Sequence, residues 1–120
     1  NYPEGTRFTK KKHYRNKSIY NHLLRPRAGG IHAVLDSLGN QLSALLDVTL
    51  VYPGHSSPRL SDFLLGRVTK IIVRIKKFKL GNDGTPSIET IRGKTGTSAV
   101  RSFINELWIE KDLFISKIQN

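Results

Sequence analysis

The chain has 120 residues, no cysteine and a formal net charge of +11. That length carries one domain with a modest core, and the lack of cysteine excludes a disulfide framework and a Cys-based zinc site. The charge asks for an anionic partner: a nucleic acid, an anionic membrane surface or a phosphorylated substrate. No apolar run approaches a membrane span, and no signal peptide is visible.

Arg7, Lys10, Lys11, Lys12, Arg15, Lys17, Arg25 and Arg27 crowd the first quarter, opposed only by Glu4. Residues 8–28 read as a polar basic loop, closed by Pro26 and Gly29-Gly30. Ile31, Val34, Leu35, Leu38, Leu42 and Leu45 then recur at helical spacing, which predicts a helix over 31–45, with Gly39-Asn40 placed to break or bend it. Asp47-Val48-Thr49-Leu50-Val51-Tyr52 is β-branched and aromatic and stops at Pro53-Gly54, so a buried strand is expected over about 47–52. Ser61 is positioned to cap a short helical turn through Leu65.

A longer strand is predicted over 68–79. Ile71, Val73 and Ile75 fall on one face, and Ile72, Arg74, Lys76 and Phe78 on the other, which reads as an exposed, half-basic surface. Gly81 to Pro86 is a turn cluster, and Ile88 to Ile91 a candidate short strand. Gly93-Lys94-Thr95-Gly96 is a loop without the glycine spacing of a P-loop. Thr97 or Ser98 is expected to cap a final helix over about 98–118, striped by Val100, Ile104, Leu107, Phe114 and Ile118. Trp108 reads as core of that helix, with an interfacial anchor as its alternative. The whole is a mixed α/β fold in one domain.

The chemistry gathers at the N-terminus, in Tyr2-Pro3-Glu4-Gly5-Thr6-Arg7. This string resembles the third motif of the glycerolipid acyltransferases, which acylate glycerol 3-phosphate or 1-acyl-glycerol 3-phosphate. The order that follows also resembles the family: a loop, a helix from Ile31, then Val48-Thr49-Leu50-Val51-Tyr52-Pro53 as an aliphatic strand with its proline. Asn105 to Asp112 is similar to the C-terminal segment of the lysocardiolipin acyltransferase-like branch. The resemblance implies the C-terminal part of a mixed α/β acyltransferase domain. The family's catalytic motif is a histidine followed five positions on by an aspartate. None of His13, His22, His32 or His55 has one there. Residues 1–120 are therefore expected to be a partial domain holding the acceptor-phosphate half of the site, with the catalytic half upstream and no catalytic residue of their own.

What the resemblance implies for the motif fits its residue types. A guanidinium stays charged and presents a planar fork, so Arg7 suits the phosphate of a lysophospholipid acceptor. Gly5 would let backbone approach the ligand. Thr6 can donate a hydrogen bond or brace the turn, and Glu4 would brace the loop through Arg7 or backbone amides. The donor would be an acyl thioester of coenzyme A or of a carrier protein, with no cofactor and no metal. A place on a membrane at its cytoplasmic face is expected, with the basic loop near anionic headgroups. Two other readings stand beside this one. A small basic nucleic-acid-binding module is supported by charge and opposed by the lack of a recognition helix, zinc ligands or paired RNA-binding aromatics. A peripheral membrane-binding module would use the basic loop alone.

Overall fold

Thr9 ends the motif segment and begins a helix. Its hydroxyl accepts the Lys12 N–H at 3.2 Å, and the chain turns helical over Lys10–Asn16 (α1) until Lys17 adopts the left-handed conformation. The computed structural model describes residues 2–38, 41–81 and 96–119. After α1 come α2 (Gly29–Leu38), β1 (Ala44–Val51), α3 (Leu60–Leu64), β2 (Ile72–Lys79) and α4 (Gly96–Gln119). The mixed α/β reading holds. β1 and β2 pair antiparallel, with Asp47 opposite Lys76, Thr49 opposite Arg74 and Leu50 opposite Val73.

α4 organises the molecule. Ala99, Val100, Phe103, Ile104, Leu107, Trp108, Lys111, Asp112 and Ile115 are its buried residues, spaced at three and four along one stripe. Ile31 and Leu35 of α2 and Tyr20 of the preceding segment complete the cluster, and Phe78 of β2 meets Phe103 edge-to-face at 5.1 Å. Trp108 is core, not anchor: it is buried, and its indole N–H donates to Leu24 O at 3.1 Å. The sheet lies with Asp47, Thr49 and Val51 inward, while Leu46, Val48, Leu50, Val73 and Ile75 stay exposed on the other face.

Four expectations need correction. Residues 8–28 are not loop throughout, because α1 forms on polar residues once Thr9 supplies a cap. The helix expected to reach residue 45 ends at Leu38, and Ala44 and Leu45 open β1. An apolar run suits a strand as well as a helix, and pairing with β2 settles which. The second strand starts at Ile72, not 68, and its basic face turns inward: Arg74 and Lys76 reach Glu110 of α4 at 3.1 and 2.6 Å. Arg74 also lies over the Phe114 ring at 4.2 Å. Finally, α3 forms as expected, but Arg59 takes the cap position and Asp62 accepts its N–H at 2.7 Å, so Ser61 is not the cap. α4 runs slightly beyond the expected 98–118 at both ends. The expected break at Gly39-Asn40, the turn beyond Gly81 and the strand at 88–91 lie outside the described residues.

Candidate functional site

The motif is a tight turn fastened at several points. Gly5 N–H donates to Tyr2 O at 2.8 Å, and Arg27 N–H donates to Pro3 O at 2.8 Å. Gly5 has φ +69, the left-handed region that disfavours any side chain, yet a Cβ there would meet nothing within 4 Å. The positive φ gives glycine a conformational reason to stand there, and the space beside it is open. Thr6 faces the helix that follows, its hydroxyl accepting from Lys12 Nζ at 2.5 Å.

Glu4 braces the turn, through the Leu24 amide and α4, not through Arg7. Burial pushes its carboxyl above the ordinary value of 4.5, only partly offset by the Leu24 amide, the Lys111 charge and the Trp108 indole. Behind it lies a buried ionic group. Lys111 Nζ contacts Asp47 Oδ1 at 2.5 Å and sits 4.6 Å from the Trp108 ring centroid, while Thr49 Oγ1 donates to Asp47 Oδ2 at 3.3 Å. Asp112, one residue on, accepts the Asn21 and His22 amides at 2.8 and 2.7 Å and so holds the basic segment against α4. Asp47 lies in the predicted strand and Lys111 in the Asn105 to Asp112 segment, but no sequence pattern pairs them. Each is an ordinary charged residue until the fold buries both.

Arg7 is the member left available. It is exposed, it donates one long hydrogen bond to Pro58 O at 3.5 Å, and it has no carboxylate partner among the described residues. Ser57 Oγ donates to Phe8 O at 3.0 Å, which ties the 57–58 loop to the motif. Two grooves flank the turn. The smaller, about 280 Å³, is lined by Arg7, Glu4, His22, Tyr52, Ser56 and Phe63, among others. The larger, about 690 Å³ and mostly apolar, runs along β1 past Glu4, Thr6, Trp108 and Lys111. The smaller groove can hold an anion: one unpaired guanidinium, with serine hydroxyls and a histidine on its walls. Among the described residues no three His, Asp or Glu gather in a way that would hold a metal ion. The other histidines are engaged within the protein: His13 Nε2 with Tyr20 O at 2.5 Å, His32 Nε2 with Thr97 Oγ1 at 3.3 Å and His55 Nδ1 with Pro53 O at 3.2 Å.

The chain is similar to glycerolipid acyltransferases along most of its length. It is 28% identical to 1-acyl-sn-glycerol-3-phosphate acyltransferase gamma of Mus musculus and 29% identical to the delta enzyme of Bos taurus, each over 92% of this chain. It is 25% identical to the gamma enzyme of Homo sapiens over 94% of this chain. The chain spans only 29–32% of the length of these relatives. No family model matches it, and no solved structure matches it.

Proposed function

We propose that this chain is the acceptor-binding part of a glycerolipid acyltransferase, which moves an acyl group from a coenzyme A or carrier-protein thioester to a lysophospholipid such as 1-acyl-glycerol 3-phosphate. The observation that carries this reading is Arg7: exposed, without an acid partner among the described residues, and lining a groove beside a turn braced by its own hydrogen bonds. The acceptor phosphate binds the guanidinium fork in that groove. Its glycerol hydroxyl is then presented to a histidine base, with the aspartate that orients it, supplied by sequence upstream of Tyr2. Thr6 and Glu4 do not touch the ligand in this scheme; they fix the turn. The reaction takes place at a membrane surface on its cytoplasmic side, where the acceptor resides, and the basic first quarter faces anionic headgroups.

The test is steady-state kinetics on the polypeptide encoded by the whole reading frame, for wild type, Arg7→Ala and Arg7→Lys. A charge-assisted contact contributes roughly 1.5–3 kcal/mol, so Arg7→Ala should lower kcat/KM for the phosphorylated acceptor by about ten- to a hundredfold. Arg7→Lys should recover part, because an ammonium keeps the charge and lacks the fork. The donor thioester should be affected much less. An acceptor kcat/KM within about twofold of wild type for Arg7→Ala returns Arg7 to the role of a solvated loop arginine.

A further inference from the structure

Arg7 and Phe8 are tied to the 57–58 loop, and that loop runs straight into α3. α3 is short but firmly built. The Asp62 carboxylate accepts the Arg59 N–H at its start, Leu65 N–H donates to Ser61 O at 2.9 Å, and Gly66, at φ +66, turns the chain so that Arg67 N–H reaches Asp62 O at 2.8 Å. Phe63 sets its ring edge-on to Tyr52, with centroids 5.6 Å apart, and so fixes the helix to the end of β1.

What this framework holds out to solvent is apolar. Leu60, Leu64 and Leu65 are 71%, 79% and 64% exposed. Leu60 and Leu64 stand one turn apart on one helix face. A single exposed leucine is ordinary; three within six residues, on a hydrogen-bonded turn, make a patch suited to a partner. Cations bracket it: exposed Arg59 before the helix, exposed Arg67 and Lys70 after it. Of these only Arg67 has a carboxylate partner among the described residues, Asp62 at 3.4 Å.

We propose that α3 is a membrane-docking tip: Leu60, Leu64 and Leu65 enter the boundary between headgroups and acyl chains of an anionic bilayer, while Arg59, Arg67 and Lys70 stay among the headgroups. Charge complementarity selects this occupant. A groove on another protein would bury the leucines equally well, but cations on both sides of them, on a chain of net charge +11, match an anionic plane. Docking there would hold the Arg7 groove at headgroup depth, where the phosphate of a lysophospholipid lies. That consequence rests on the acyltransferase reading; the docking itself does not.

The test uses the chain as it is, with no turnover. Leu64→Cys introduces a single thiol, because the chain has no cysteine, and it is labelled with a polarity-sensitive fluorophore; Lys117→Cys, at an exposed position of α4, is the control. Vesicles of phosphatidylcholine alone, and of phosphatidylcholine with phosphatidylserine, are added at low and high salt. Expected is a blue shift and brightening at position 64 only, with anionic vesicles and weakened by salt. Leu60→Ser, Leu64→Ser and Leu65→Ser combined should lower vesicle partitioning by about tenfold or more, with an unchanged circular dichroism spectrum. Equal partitioning by the triple variant, or vesicle binding with no spectral change at position 64, overturns the proposal. So does dissociation of a dimer by the triple substitution without loss of vesicle binding, which would assign the leucines to a second copy. Because no acylation is measured, these failures are separate from failure of the Arg7 kinetics.

Discussion

Gly5 and Glu4 act on the motif in ways that thermal denaturation separates. Gly5 is needed for its backbone angle, since nothing would crowd a Cβ there. Gly5→Ala should therefore cost about 1–2 kcal/mol, and Gly5→Asn less, because asparagine tolerates the left-handed region. Equal losses for both would point to crowding and away from φ. Glu4 contributes a pH dependence of definite sign. Burial raises its folded pKa above the ordinary 4.5, so the folded chain holds a proton that the unfolded chain has released. Stability then falls as pH rises through the window between the two values. Glu4→Gln removes that loss, and the Tm difference, variant minus wild type, should grow from about pH 4 towards neutrality. A wild type that gains on the variant over this interval would contradict the burial argument.

β2 and β1 are joined to α4 by two kinds of ionic contact, and their energetics differ. Glu110 binds Lys76 and Arg74 at the surface, and chiefly the Lys76 hydrogen bond holds its carboxyl below the ordinary value. Its contribution is present above the unfolded pKa and is lost as pH falls through the folded one. The carboxylate is half exposed, so Glu110→Gln should cost no more than about 0.2–1 kcal/mol at neutral pH, and the difference should vanish in acid. Lys111 and Asp47 are buried. Removing one partner leaves a charge in a poor solvent, so Lys111→Ala should cost about 3–5 kcal/mol by urea unfolding, whereas Asp47→Leu with Lys111→Met should be close to neutral. A double variant as damaged as the single one would mean that Asp47 and Lys111 have other essential contacts. α3 and α1 are both short, and each depends on a polar group at its start: the Asp62 carboxylate and the Thr9 hydroxyl.

The fold as a whole leaves apolar surface on one side. α4 covers the inner face of the sheet, while Leu46, Val48, Leu50, Val73 and Ile75 are exposed on the outer face. A two-stranded sheet has little stability of its own, so α4 is what keeps β1 and β2 in place. Outer-face positions should accept polar residues: Val48→Thr with Ile75→Thr is expected to raise solubility with little change in Tm, and a large fall in Tm would reveal packing on that face. At this scale the acyltransferase proposal makes a further demand. None of the four histidines has an aspartate five residues on. The purified 120-residue chain is therefore expected to acylate no lysophospholipid from a thioester. Measurable acylation by the chain itself would refute the assignment of the base to upstream sequence.

The motif, the helix from the Gly29-Gly30 pair, both strands and the long last helix were legible because each rests on local chemistry. Periodicity marks α4, β-branched residues mark β1, and the Tyr2 to Arg7 string marks the turn. The same residues could not say where an apolar run stops being helix: Leu45 continues the α2 stripe in sequence but pairs with Phe78 across the sheet. Nor could they say that Arg74 and Lys76 turn inward. Strand alternation assigns two faces but not which one is covered, and that is decided by where α4 lies. Asp47 and Lys111, far apart in sequence, become one buried pair only after the core closes. Local pattern thus determined the elements and the candidate arginine. Tertiary packing decided which charges are paired and buried, and left Arg7 without a carboxylate partner among the described residues, because burial and long-range contact depend on the whole chain at once.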